Sequence, residues 1–141
     1  MIFLLLFMIG CATTARMPTV KMEIELGTIV ETVRMSYTID ATTDEEIAAL
    51  GPNDVIYAVD LPKGVTAIVW VSLTGPKDTP FRIEWHFKGK KMLAMNAKLP
   101  MDMPGVQWHF WLKHPSGLPS GNYTVFIELA DEFDQVDFTV K

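Results

Sequence analysis

The chain has 141 residues, of which 49% are hydrophobic, 21% charged and 11% aromatic, a composition that fits one ordinary globular domain and excludes a disordered acidic tail. Its 12 Lys and Arg against 17 Asp and Glu leave a formal charge of −5, so the overall field repels phosphate backbones and nucleic acid is not an expected partner.

Met1 to Ile9 form a continuously apolar run that ends at Gly10-Cys11 and is followed by Ala12-Thr13-Thr14-Ala15. The run is too short to cross a bilayer as a helix, which takes about 20 residues. It is long enough for the apolar core of a secretory signal, about 7 to 15 residues. Met8-Ile9-Gly10-Cys11 resembles the lipobox of bacterial lipoproteins. The resemblance implies that Cys11 is acylated, becomes the mature N-terminus and anchors the chain in a membrane of the cell envelope. It departs from the pattern at Met8, where Leu is usual, and in the lack of Lys or Arg ahead of the run. Cys11 is the only cysteine, so no disulfide can form within the monomer. The alternatives are an ordinary signal peptide or a buried N-terminal strand. The expected organisation is a signal segment at 1–10, a short tether at 11–19 and a domain at 20–141.

From residue 20 the apolar residues fall mostly at every second position, the period of strands with one buried face. The alternating runs are Val20 to Leu26, Val33 to Ile39, Val55 to Leu61, Ala67 to Leu73, Phe81 to Phe87, Val106 to Leu112, Tyr123 to Leu129 and Val136 to Val140. Turn sequences such as Leu61-Pro62-Lys63-Gly64 and Gly75-Pro76-Lys77-Asp78 separate them. Only Thr43 to Leu50, with Asp44, Glu45 and Glu46 in its first turn, has helical character. The expected fold is all-β, an antiparallel β-sandwich of about seven to nine strands behind a cleavable signal.

Trp85 on a middle strand and the segment Leu118-Pro119-Ser120-Gly121-Asn122-Tyr123 resemble the core tryptophan and tyrosine corner of immunoglobulin-like domains. With Gly51 to Val59 and the closing Phe138-Thr139-Val140, they are similar to Ig-like domains of bacterial lipoproteins over about residues 50 to 141. The resemblance implies a fold and no reaction, because a sandwich is a scaffold for many functions.

Candidate chemistry is sparse. No serine lies in a Gly-x-Ser-x-Gly elbow, and there is no Gly-rich phosphate loop or HExxH pair. The acidic clusters fall in turns. The expectation is therefore a non-enzymatic chain without a cofactor. The tripeptide Trp-His-Phe occurs at 85–87 and at 108–110, which by strand parity turns His86 and His109 outward. Four methionines crowd into residues 92–103. Thioethers are soft ligands that favour copper(I), so Met101, Met103, His86 and His109 are the alternative, a copper carrier. Methionine also fills gaps in cores and under loops.

The favoured site is a surface. Parity turns Ile68, Trp70, Trp111 and Phe126 away from the core, and large aromatics outside a core mark partner sites unless the N-terminal segment or the connection at 41–54 covers them. The chain is thus expected to be an extracytoplasmic, lipid-anchored binding or structural module with an envelope protein or surface component as partner. The expected result of comparing full-length chain with Cys11→Ser by intact mass and membrane fractionation is a lipid-sized mass and a membrane location that both depend on Cys11. An unprocessed, soluble wild-type chain would end the lipoprotein reading.

Overall fold

The structure is a computed structural model that describes residues 2–3, 23–24 and 27–141. Cys11, the expected tether and most of the expected signal segment lie outside the described residues. Two short strands, β1 (Ile2–Phe3) and β2 (Glu23–Ile24), pair antiparallel with each other. The rest of the described chain runs β3 (Ile29–Thr38), α1 (Asp44–Ala48), β4 (Ile56–Tyr57), β5 (Asp60–Leu61), β6 (Thr66–Gly75), β7 (Pro80–Phe87), β8 (Lys90–Lys98), β9 (Met103–Leu112), β10 (Gly121–Leu129) and β11 (Glu132–Val140).

These strands form a four-stranded sheet in the order β4-β3-β6-β9 and a five-stranded sheet in the order β5-β11-β10-β7-β8. The two pack face to face as a sandwich-like fold, as the period-two pattern predicts. Every pairing is antiparallel except β5 with β11, where Thr139 lies opposite Asp60 and Val140 opposite Leu61. The inner faces are the residues expected from the alternation. Ala67, Val69, Val71 and Leu73 of β6 meet Phe81, Ile83 and Trp85 of β7 and Tyr123, Val125, Ile127 and Leu129 of β10, all buried. Each large apolar side chain taken out of water contributes about 1.5–3 kcal/mol. Trp85 stands edge-on to Phe138 with ring centres 6.2 Å apart. Tyr123 stacks on Phe138 at 4.9 Å and its hydroxyl donates to the Pro119 carbonyl at 2.6 Å.

Three local features depart from a plain alternation. Leu73 pairs with Val106 but Thr74 with Pro104, so Gly105 is an extra residue in β9. Its φ of 72° is one that glycine adopts without strain, and its N–H donates to Thr74 Oγ1 at 2.9 Å. Pro104 is tolerated beside it because β9 is an edge strand. The run Val55 to Leu61 is not one strand. Val55 and Tyr57 pack on the outside of the four-stranded sheet and Leu61 enters the core, while Val59 between them is 53% exposed. The chain changes sheets there, from β4 to β5. Lastly, β8 was not expected. Its sequence, Lys90-Lys91-Met92-Leu93-Ala94-Met95-Asn96-Ala97-Lys98, loses its alternation at a bulge where Trp85 pairs with Leu93 but His86 with Lys91.

The connection from β3 to β5 closes the outer face of the four-stranded sheet. Thr43 caps α1 in a capping box with Glu46, whose carboxylate accepts from the N–H groups of Thr42 and Thr43 at 3.0 Å each. That turn aims Ile47 down onto Ile68 and Trp70, and Ala41, Leu50, Val55, Tyr57 and Trp111 complete the second cluster. Ile68 and Trp70 therefore do point away from the main core, as parity predicts, but they are 0% and 4% exposed. The expectation that they form an open surface is corrected: strand parity fixes a side chain's direction, and a segment distant in sequence occupies that direction. Phe126 lies on β10, in the other sheet, so the expected single face of Ile68, Trp70, Trp111 and Phe126 does not exist.

Ile47→Ala should lower stability by about 2–5 kcal/mol, the usual cost of emptying a buried aliphatic site, and shift tryptophan emission to the red as Trp70 meets water. Denaturant unfolding and the native emission spectrum check this; an unchanged spectrum would show that α1 does not seal the face.

Candidate functional site

The polar residues of the covered face act as its clasp. His109 stacks on Trp70 with ring centres 4.2 Å apart and lies 2.8 Å through Nε2 from the Ile47 carbonyl. A carbonyl only accepts, so this Nε2 carries the proton and donates. The Trp111 indole N–H donates to Asp44 Oδ1 at 2.9 Å, and Lys113 Nζ stands 2.9 Å from the same oxygen. These contacts, Lys113 first and Trp111 second, hold the Asp44 carboxyl below the usual carboxylate range. Arg34 lies 3.7 Å over the Tyr57 ring, whose hydroxyl donates to the Pro52 carbonyl at 2.7 Å. The Trp70 indole N–H is buried without a partner among the described residues, a cost of about 1–3 kcal/mol that the surrounding apolar contacts must offset.

The four residues expected to hold copper are not brought together. Met103 is buried in the main core, and Met101 stands exposed in the turn before β9. His109 belongs to the clasp over the four-stranded sheet. His86 is on the outer face of the five-stranded sheet, on the opposite side of the sandwich, with Nε2 2.9 Å from Glu84 Oε1. Among the described residues no group of three or more His, Cys, Asp or Glu is arranged to hold a metal ion. A serine-histidine contact occurs at Ser116 Oγ and His114 Nδ1, 3.1 Å apart. The Ser116 backbone N–H donates to the same nitrogen at 3.3 Å, so this is the internal bonding of an exposed turn.

The outer face of the five-stranded sheet carries a small polar network. Glu84 accepts from Arg82 Nε at 2.6 Å and from His86 at 2.9 Å, and Arg82 Nη1 donates to Asn96 Oδ1 at 2.8 Å. Phe126 meets the His86 ring edge-on at 4.6 Å and Phe133 at 5.7 Å. Of the four surface candidates, Phe126 alone lies on this face, half-buried between its neighbours.

The apolar surface that stays open is elsewhere. Ile83, Trp85, Leu93, Met95, Phe110 and Trp111 line a cleft of about 190 Å³. It lies between β8, the edge of the five-stranded sheet, and β9, the edge of the four-stranded sheet. Leu93 and Met95 project from the inner face of β8, opposite Trp85 and Ile83 in the register, yet are 49% and 41% exposed. The methionine crowding in the sequence thus divides into Met92 and Met95 on this edge, Met103 in the core and Met101 in a turn. Leu93 and Met95 were missed as a surface because β8 itself was missed; Lys90, Lys91 and Lys98 around an apolar centre were the available signal. The cleft offers dispersion contacts and, among the described residues, the unpaired backbone of two strand edges, a chemistry of binding.

Neither protein-family models nor curated proteins give a match to this chain. No helix among the described residues is long and apolar enough to cross a membrane.

The hydrogen bonds from His86, and after it Arg82, hold the Glu84 carboxyl below the usual value. A carboxyl depressed on folding adds stability above its unfolded value, about 4.3, and that contribution disappears as pH falls through the folded value. Glu84→Gln should therefore cost up to about 1 kcal/mol near neutral pH and nothing in strong acid. Unfolding at a series of pH values, with a carboxyl carbon NMR titration of Glu84, tests the sign; a midpoint above that of an unstructured glutamate contradicts it.

Proposed function

We propose that this chain is a non-enzymatic binding module, an Ig-like sandwich lipid-anchored through Cys11 in a bacterial cell envelope, which takes an extended apolar segment of a partner protein in the cleft between β8 and β9. The Ig-like reading is supported by Trp85 in the core and by the Tyr123 hydroxyl bonded to the Pro119 carbonyl, the contact that a tyrosine corner makes. The envelope reading rests on the apolar head and the lipobox-like Met8-Ile9-Gly10-Cys11.

The observation that carries the binding reading is the unequal strand count. β9 lies against β7 through Phe81, Trp108 and Phe110, with ring centres 5.1–5.4 Å apart. The next position in the four-stranded sheet, beside β9 and opposite β8, holds no described strand. A segment added there would gain backbone hydrogen bonds from the β9 edge and set alternate side chains onto Leu93 and Met95. The aromatic floor supplies contact area at little rotamer cost.

A photo-crosslinking residue placed at Met95 of the full-length chain in a bacterial host should yield adducts with another protein, and Leu93→Asp should abolish them. The same probe at Lys63, exposed on a turn, is the control. Equal adducts at both positions, or none at Met95, would remove the cleft as the site.

A further inference from the structure

The five-stranded sheet ends in two edges of opposite charge. At one edge, β8 carries Lys90, Lys91 and Lys98 and no acidic residue. At the other, β5 covers β11 only at Thr139 and Val140. The stretch from Asp131 to Asp137 has no strand neighbour on that side among the described residues. It carries Asp131, Glu132, Asp134 and Asp137 and no basic residue. None of these lysines or carboxylates enters an ion pair among the described residues. Lysines on an edge strand ordinarily serve to keep other strands away, but a complementary acidic edge on the same sheet serves no such purpose toward a second copy.

We propose that copies of this chain associate head to tail, the basic β8 edge of one copy pairing with the acidic β11 edge of the next to continue the five-stranded sheet. The inference stands on the sheet edges and not on the cleft. Direction favours it: three successive antiparallel pairings, β11 with β10, β10 with β7 and β7 with β8, leave β8 antiparallel to β11. A neighbouring copy in the same orientation therefore meets β8 with an antiparallel β11, the arrangement that existing pairings in this sheet already use. Spacing favours it too. With the bulge at Met92, Lys91 lies opposite His86 and Lys98 opposite Pro80, while Asp137 lies opposite Thr124 and Glu132 opposite Leu129, so the basic span of one edge and the acidic span of the other are of similar length. Self-pairing of like edges is disfavoured, because antiparallel β8 on β8 sets lysine against lysine and β11 on β11 sets acid against acid. The contact is thus heterologous, and unless its rotation closes a ring it propagates. Being built on exposed charges, it weakens as added salt shortens the screening length.

Sedimentation velocity of the full chain should show a mass that rises with protein concentration and returns to that of the monomer in high salt. Lys91→Glu with Lys98→Glu makes both edges acidic, and Asp131→Lys with Asp137→Lys leaves the β8 edge basic and removes the net negative charge of the β11 edge. Each double variant should be monomeric alone at concentrations where the wild type associates, and mixing the two should restore association, since each then offers the edge the other lacks. All four positions are exposed, and matching thermal unfolding of the variants confirms that they fold. A wild-type chain that stays monomeric at all concentrations overturns the proposal. So does association that survives both reversals, or a mixture that fails to restore it.

Discussion

Among the described residues, five strands packed on four leave one strand with no opposite number. In this protein that strand is β8, and its unmatched position determines much of what surrounds it. The inner faces of β6, β7 and β10 are mutually buried, so hydrophobic burial fixes their register; a shift of one residue would turn every inward side chain to the wrong face. Beyond β9 no described strand is present for the same rule to act on. Leu93 and Met95 have the inward direction of core residues and the exposure of surface residues. An edge in that condition is either a liability or a site, and lysines at both ends of β8 flank an apolar centre that no described strand covers.

The outer face of the four-stranded sheet meets the opposite fate. Ile68 and Trp70 would form an apolar patch if the connection from β3 to β5 were a loose loop. Instead the capping box of Thr43 and Glu46 starts a single helical turn, and that turn delivers Ile47 to the patch. His109, Trp111 and Lys113 then hold the turn by hydrogen bonds to its backbone and to Asp44. The side chains that looked like ligands or anchors in isolation are the means by which the sandwich covers itself. The two outer faces consequently differ, one sealed by α1 and its flanks, the other bearing the Arg82-Glu84-His86 network and Phe126.

Legibility followed the strength of the period-two signal. β6, β7, β9 and β10 could be read directly, because both neighbours of each inward residue are polar or turned out, and their turns carry Gly and Pro. β8 could not, because its bulge at Met92 breaks the period and its inward-directed Leu93 and Met95 stay exposed. Val55 to Leu61 was read as one strand because the alternation continues through it, although the chain passes from one sheet to the other and leaves Val59 in solvent. Phe126 was grouped with Trp70 and Trp111 because parity reports inside against outside, not which of two sheets a strand joins.

By itself the sequence determined the all-β character, the inward faces of the central strands, the place of Trp85 and Tyr123 in the core and the first turn of α1, since each follows from periodicity or from contacts a few residues apart. Only the tertiary structure decided that Ile68 and Trp70 are covered, that His86 and His109 lie on opposite sides of the sandwich, that the open apolar cleft is at β8 and β9, and that the two edges of one sheet carry opposite charge. These depend on which segments far apart in the chain come together, and burial of the whole apolar surface, not any local preference, selects that arrangement.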